Sequence, residues 1–288
     1  MESELRGYAF MALVNMNTVL TYANGCGCAV GAFSVGNMEM IMGAVRAAEE
    51  TGTPVIIQIA EKRMEHSPFH LMGPMMVSAA KKTAVDVCVH LDHGLTLECV
   101  DEALGYGFTS VMLDASLLPF EENITKTNEV IKKARKYGAS VEAELGVVGG
   151  NEGDAAKHET TYTNPEKARE FTRRTGVDAL AVAIGNAHGN YPVFPELRFD
   201  VLDKINKITG VPLVLHGGTG MTADMFKTAI KKGVRKINIA TASFDALAKY
   251  AKIYCGSSKN PDYFTLSANM VDGVYGNVKK HIEIFNNS

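Results

Sequence analysis

The chain has 288 residues, which suits one large α/β domain or two small ones, and 46% of them are hydrophobic, enough for a sizeable core. Lys and Arg number 29 against 32 Asp and Glu, a formal net charge of −3 with the signs interspersed, so no basic stripe points to nucleic acid and no polybasic segment to a membrane surface. No apolar run approaches the roughly 18 residues that cross a bilayer. The start lacks the charged-then-apolar build of a signal peptide, and five cysteines without a Cys-x-x-Cys pair read as reduced thiols of a cytoplasmic protein.

In chain order, about 11–24 reads as a helix and 29–35 as the first short apolar run. A helical pattern at about 39–51 stops at Gly52, and 54–60 is a second run rich in Val and Ile. After a loop, about 71–84 is helical, 85–93 is the third run, and about 97–106 is helical. The fourth run is 110–115, followed by helix at about 121–137, and the fifth is 140–146. Asn164-Pro165-Glu166 then starts a helix with a capping residue, a first-turn proline and a first-turn acid. Runs six, seven and eight are 179–185, 212–217 and 236–241, and 263–285 reads as a further helix packing on the barrel or on a partner subunit.

The runs are nearly continuous in Val, Ile, Leu and Ala, as strands covered on both faces must be. Eight strand–helix units in about 240 residues predict a (β/α)8 TIM barrel as one domain over residues 1–288, better than an open doubly wound sheet. The turn after the first run, Ser34-Val35-Gly36-Asn37, is no dinucleotide fingerprint.

In such a barrel the active site lies at the C-terminal strand ends. The polar residues fall there. Val89-His90-Leu91-Asp92-His93-Gly94 ends run three, Asp114 run four, and Glu142 and Glu144 run five; Gly185-Asn186-Ala187-His188-Gly189 follows run six and Leu215-His216-Gly217-Gly218 ends run seven. Three histidines at three strand ends are the minimum shell of a catalytic zinc with an open position. His216-Gly217-Gly218-Thr219-Gly220-Met221-Thr222 leaves a strand for a helix, with Thr222 as a cap, and its exposed N–H groups suit a phosphate. Asn238-Ile239-Ala240-Thr241 ends the eighth run beside it.

The loop Val147-Val148-Gly149-Gly150-Asn151-Glu152-Gly153-Asp154 is long and Gly-rich, and Glu152 reads either as a lid-borne base or as a solvated loop acid. Run six contains no lysine and Lys236 is placed at the entry end of run eight, so metal chemistry is preferred over a Schiff base. His66 and His70, separated by Pro68, are read as loop residues, not as a helical metal pair.

With these motifs in order, the chain resembles the class II, zinc-dependent ketose-bisphosphate aldolases, the fructose- and tagatose-bisphosphate aldolase family, over nearly its whole length. The resemblance rests on His90-Leu91-Asp92-His93, Leu113-Asp114-Ala115-Ser116, Val141-Glu142-Ala143-Glu144-Leu145-Gly146, Gly149-Gly150-Asn151-Glu152, Asn186-Ala187-His188-Gly189, His216-Gly217-Gly218-Thr219-Gly220 and Asn238-Ile239-Ala240-Thr241. It implies that His93, His188 and His216 bind Zn²⁺, with Asp114 and Glu144 at a nearby second metal position. It implies Asp92 as the acid/base at the C4 oxygen of the ketose and Glu152 as the base for the C3 proton of dihydroxyacetone phosphate. Gly189, Gly217, Gly218, Thr219, Asn238 and Thr241 would hold the phosphate, with a monovalent cation (Na⁺ or K⁺) nearby.

The implied reaction is reversible cleavage of a ketose 1,6-bisphosphate to dihydroxyacetone phosphate and glyceraldehyde 3-phosphate through a metal-stabilised enediolate, in a homodimer or homotetramer of central carbohydrate metabolism. The aldehyde half departs from the family pattern. Ala60, followed by Glu61-Lys62-Arg63, stands where fructose-type members carry a serine, Pro192 where many carry a lysine, and Ala242 where tagatose-type members carry an acid. Residues 243–250 offer no arginine for a second phosphate. The same chemistry on another ketose 1-phosphate, and a non-catalytic sugar-phosphate-binding protein, are the alternatives; a metal-dependent hydrolase would need histidines after the first run, and 29–36 has none.

Overall fold

Side-chain caps and glycine stops set many of the helix boundaries. Asn15, Asn37, Thr96, Asn164 and Thr222 each accept a hydrogen bond from a first-turn N–H, and Gly27, Gly52, Gly107 and Gly176 close helices in the left-handed region. The computed structural model describes residues 12–150, 161–189 and 196–286. Within them run α1 (Met16–Cys26), β1 (Val30–Ser34), α2 (Met38–Thr51), β2 (Val55–Ala60), α3 (Phe69–Ala80), β3 (Val87–Gly94), α4 (Leu97–Tyr106), β4 (Ser110–Leu113), α5 (Phe120–Ala134) and β5 (Ser140–Leu145). There follow β6 (Gly149–Gly150), α6 (Pro165–Thr175), β7 (Ala179–Val182), β8 (Ala187–His188), α7 (Phe199–Thr209), β9 (Leu213–Leu215), α8 (Ala223–Lys231), β10 (Val234–Ile239), α9 (Thr241–Ser257) and α10 (Tyr263–Asn286).

Eight of the strands close a barrel in the order β1-β10-β9-β7-β5-β4-β3-β2, every pair parallel, which is the (β/α)8 architecture predicted. The two-residue strands β6 and β8 pair separately above it.

The barrel interior is graded along its axis. Val30, Ala32, Ile56, Cys88, Ala179, Ala181 and Val214, inward residues of the N-terminal halves of the strands, join Met16, Val19, Leu20 and Ala23 of α1 in one apolar cluster, so α1 plugs the bottom. Fully burying each such larger side chain contributes about 1.5–3 kcal/mol. Two residues further along, the inward positions turn polar: Gln58, His90, Glu142, Lys236 and Asn238 are all buried. The outward residues of the same strands, among them Val55, Ile57, Val89 and Leu91, pack under the helices. On the outside α10 lies against α2 and α9, and Gly43 permits it: a Cβ there would stand 2.8 Å from Val274 and 2.9 Å from the Val271 carbonyl.

Several expectations shift. The first helix is α1, later than 11–24, because Leu13 bridges to Val87 before Asn15 caps the helix. The helix expected at 71–84 starts at Phe69, so His70 lies in its first turn instead of a loop; Pro68 stands at the cap, where it needs no N–H partner. A short 3-10 turn, Glu61–Glu65, precedes it. The sixth strand stops at Val182, α7 fills an interval in which no helix was read, and α9 outruns 243–250. The five cysteines are free thiols, with Cys28, Cys88 and Cys99 buried.

Candidate active site

β3 supplies the centre. Neighbouring residues of a strand face opposite ways, yet Asp92 and His93 are both buried at the C-terminal mouth. The β3–β4 register shifts between Leu91 and Gly94, and His93 has φ 39°, the one positive value among described non-glycine residues. Such a backbone costs about 1–3 kcal/mol. It turns the His93 ring to the other histidines while Asp92 stays in the barrel interior.

His93, His188 and His216, from the ends of β3, β8 and β9, bring ring nitrogens within 4.8 Å of one another. Two rings are oriented from behind. His93 Nδ1 lies 2.8 Å from Asp114 Oδ2, and Asp114 Oδ1 accepts from the Ser116 hydroxyl at 2.7 Å. His216 Nε2 lies 2.8 Å from Glu142 Oε1, and its Nδ1 is 3.1 Å from Glu144 Oε2. His93 Nε2 is buried without a hydrogen-bond partner. Imidazoles backed by carboxylates, with nitrogens converging on one point, are a donor set that fits a divalent ion. His93, Asp114 and Glu144 also form a second group with atoms within 4.8 Å.

The charges agree. Burial alone would strip His93 of its proton, but Asp92, Asp114 and Glu144 outweigh it and hold the pKa well above the ordinary imidazole value. Burial of His216 is overcome by the hydrogen bonds to Glu142 and Glu144, which raise its pKa to about 9. Burial also opposes ionisation of Asp114, yet the paired His93 and the Ser116 donors keep it well below the carboxylate range. His90 goes the other way: burial, then the Lys236 ammonium, push it down to about 3. Pairing thus favours the charged forms of His93, Asp114 and His216 against the cost of burial.

Below the cluster runs a polar floor that sequence reasoning missed, and one reading is corrected here. Lys236 is the third residue of β10 and points into the barrel, fully buried, with Nζ 2.9 Å from Glu142 Oε2 and 2.7 Å from Asn238 Oδ1. Asn238 Nδ2 donates in turn to Asp92 Oδ1 at 3.0 Å, and Gln58 Nε2 to Asp92 Oδ2 at 2.9 Å. Lys236 therefore bridges the carboxylate behind His216 and the amide behind Asp92, and its amine is spent on them. The signal was present as spacing by two: His90/Asp92, Glu142/Glu144 and Lys236/Asn238 are polar pairs on one face of otherwise apolar strands.

His188, Gly189, Gly217, Thr219, Asn238, Ala240 and Thr241 line a small cleft between β8, the end of β9, β10 and α9. Gly217 has φ 66°, and a Cβ there would lie 2.0 Å from the Ala187 carbonyl oxygen, so no other residue fits. Gly218 stands behind that lining, its N–H donated to the Asn238 carbonyl at 3.1 Å. Thr219 Oγ1 accepts from the Ala242 N–H, and Thr241 opens α9, a helix start with N–H groups toward the cleft end. Glu152, Asn190, Tyr191 and Pro192 lie outside the described residues.

Proteins that resemble this barrel are aldolases, carbon–carbon lyases. The profile of the family described as "Fructose-bisphosphate aldolase class-II" matches residues 14–288. A Bacillus subtilis protein named "Probable fructose-bisphosphate aldolase" is 43% identical over 242 residues, 83% of this chain and 85% of its own length; the fructose-bisphosphate aldolase of Geobacillus stearothermophilus is 41% identical, covering 83% and 84%. Among solved structures, the YdjI aldolase of Escherichia coli K12 superimposes with a TM-score of 0.85 at 36% identity, over 95% of this chain and 97% of that one. The chain belongs to the class II fructose-bisphosphate aldolase family and is an aldolase, a lyase of carbohydrate metabolism. Among the described residues no helix is long and apolar enough to cross a membrane.

Proposed function

We propose that the chain cleaves a ketose 1,6-bisphosphate of the fructose or tagatose type reversibly to dihydroxyacetone phosphate and glyceraldehyde 3-phosphate, with Zn²⁺ held by His93, His188 and His216. The observation that carries this is the meeting, on one rim, of the three-histidine cluster, the fixed Asp92 carboxylate and the small glycine-lined cleft. A bound divalent ion would supply Lewis-acid stabilisation of the negative charge that develops on the ketone oxygen. Asp92, aimed by Gln58 and Asn238, exchanges the proton of the C4 oxygen. Glu152 takes the C3 proton of dihydroxyacetone phosphate in the condensing direction. Gly189, Gly217, Thr219, Asn238 and Thr241 seat the phosphate, Gly218 shapes the turn behind them, and a monovalent cation completes that end. Asp114 and Glu144, grouped with His93, offer a second metal position.

The same reading takes residues 1–288 as one catalytic barrel acting in the cytoplasm as a homodimer or homotetramer; Ile253, Tyr263 and Phe264 are large exposed apolar residues on α9 and α10 that suit a subunit contact. Sedimentation velocity of a monomer at micromolar concentration would sink the oligomer. A different ketose 1-phosphate with an altered aldehyde half is the second reading, favoured by Ala60 at the end of β2 beside Asp92.

The test is release of dihydroxyacetone phosphate from fructose 1,6-bisphosphate, tagatose 1,6-bisphosphate and a ketose 1-phosphate lacking the second phosphate, with chelator and with zinc restored. Turnover of one bisphosphate, lost with chelator, supports the first reading. Turnover of the monophosphate alone moves the assignment to the second, and silence on all three overturns the substrate.

A further inference from the structure

The polar floor of the barrel holds one amide whose orientation is dictated from both sides. An ammonium has donors only and an ionised carboxylate has acceptors only, whereas an amide has one end of each kind. Lys236 Nζ lies 2.7 Å from Asn238 Oδ1, and Asn238 Nδ2 donates to Asp92 Oδ1 at 3.0 Å. The Asn238 carbonyl therefore has to face the lysine and its N–H the aspartate. The reverse would set amide hydrogens against an ammonium and an oxygen against a carboxylate. All three residues are buried, so the preference acts at low dielectric, where it is strongest.

The other amide on Asp92 has no such key. Gln58 Nε2 donates to Asp92 Oδ2 at 2.9 Å and approaches the Ser34 hydroxyl at 3.4 Å, but Gln58 Oε1 makes no hydrogen bond among the described residues. A hydroxyl both donates and accepts, so Ser34 does not choose which end of the Gln58 amide faces Asp92. Strand register explains how a lysine reaches the floor. Lys236 pairs with Val30 of β1 and Val214 of β9, both in the apolar cluster above α1. Its four-carbon stem starts in that apolar layer and carries the charge up to Asn238, two residues later on the same face. Glu142 Oε2, 2.9 Å from Nζ, supplies the counter-charge that a buried ammonium requires.

We propose that Lys236 is a positioning residue for the proton step at the C4 oxygen: its ammonium locks the Asn238 amide and so aims Asp92, while the C3 proton step does not depend on it. This rests on the aldolase reading above and divides the two proton transfers of that reading between separate parts of the site. In cleavage the C4 hydroxyl proton passes to Asp92 as the C3–C4 bond breaks. C4 becomes the aldehyde carbon, and the bond pair stays with the dihydroxyacetone phosphate half; condensation returns the proton to the aldehyde oxygen. With each Asp92 oxygen tied to one amide N–H, the carboxylate is held against rotation. Without Lys236 the Asn238 amide is free to turn, an oxygen then faces an oxygen, and the carboxylate swings off the C4 oxygen. Exchange of a C3 hydrogen of dihydroxyacetone phosphate with solvent involves no C4 oxygen and bypasses Asp92.

The experiment uses the full-length protein saturated with zinc and compares two rates. One is condensation of dihydroxyacetone phosphate with glycolaldehyde or glyceraldehyde 3-phosphate; the other is exchange of a C3 hydrogen of dihydroxyacetone phosphate with deuterated solvent, measured without aldehyde. Lys236→Met should lower the ratio of condensation to exchange by about 10- to 100-fold. Being a ratio, it is not moved by partial loss of folded or metal-loaded protein. Two further variants tell aiming of Asp92 from mere neutralisation of Glu142. Lys236→Met combined with Glu142→Gln leaves no charge unpaired, so it carries the test even where Lys236→Met alone fails to fold, and its ratio should stay low. Asn238→Ala should lower the ratio as far by itself, with Lys236→Met adding less than about 3-fold on top. An unmoved ratio without Lys236, its recovery when Glu142→Gln is added, or a full further loss on top of Asn238→Ala overturns the inference. So does a native protein that exchanges but condenses with neither aldehyde. Exchange and condensation with an unmoved ratio sink Lys236 alone, whereas neither reaction in the native protein sinks the aldolase reading and this inference together.

Discussion

The rim of the barrel has two sides built on opposite principles. On the β8–β10 side, positions are fixed by buried polar contacts. His93 and His216 are each held by a carboxylate at 2.8 Å, Asp92 by two amides, and Gly217 admits no side chain. On the β1–β2 side Met40, Phe244 and Leu247 make apolar walls, and Arg63 stands among them. Chemistry common to any ketose phosphate needs exact angles at a metal and a proton, and a connected hydrogen-bond network supplies them. Position on one side is determined many times over, and on the other it is left to single residues.

The comparison can be broken most forcefully at Asp92. Asp92→Ala should keep the metal, measured by zinc content, while kcat falls by about 10²–10⁴-fold; a variant that turns over normally would remove Asp92 from the mechanism. Next comes the floor. Lys236→Met leaves Glu142 buried without its cation, and we expect a loss of about 3–5 kcal/mol in denaturant unfolding together with zinc binding weaker by about 10–100-fold. Adding Glu142→Gln to Lys236→Met should restore part of the stability, and no recovery would show that the ion pair is not the cause.

The metal-free protein sharpens the point through pH. His216 titrates at about 9 when folded, above its ordinary value near 6.5, so its pairing with Glu142 and Glu144 contributes fully below pH 6.5 and is lost as pH rises through 9. Apo-protein stability should therefore fall by up to about 3 kcal/mol between pH 6.5 and 9, and zinc should abolish that slope; melting curves across the window decide it. Gly217→Ala, forced against the Ala187 carbonyl, should cost about 2 kcal/mol or more and raise KM for the phosphate-bearing substrate. The smallest effect belongs to Lys62→Ala: within about 0.5 kcal/mol of the native protein in denaturant unfolding, since the side chain is exposed.

Strand ends and ligand types were legible because they depend on local pattern. Runs rich in Val and Ile ended in His93, Asp114, Glu144 and His216, and glycine or asparagine marked the neighbouring turns, so Thr222 and Asn164 were read as caps and are caps. Lys236 was misplaced because a run's start was taken one turn of the pleat too late. β10 begins at Val234, and the lysine at its third position then faces inward at the level of Glu142. The positive φ of His93 is likewise set by how β3 meets β4, a register that no single strand contains.

By itself the sequence determined the number and order of the barrel strands, and the three histidines and one aspartate that stand at their ends, because period and residue type are local properties. The tertiary structure alone decided which carboxylate stands behind which ring, that Lys236 joins the carboxylate behind His216 to the amide behind Asp92, and that Arg63, not Lys62, lines the cavity beside Met40 and Phe244. These depend on the closure of β1 against β10 and on side-chain directions across neighbouring strands, and a one-residue change of register there would send every one of those groups to the opposite face.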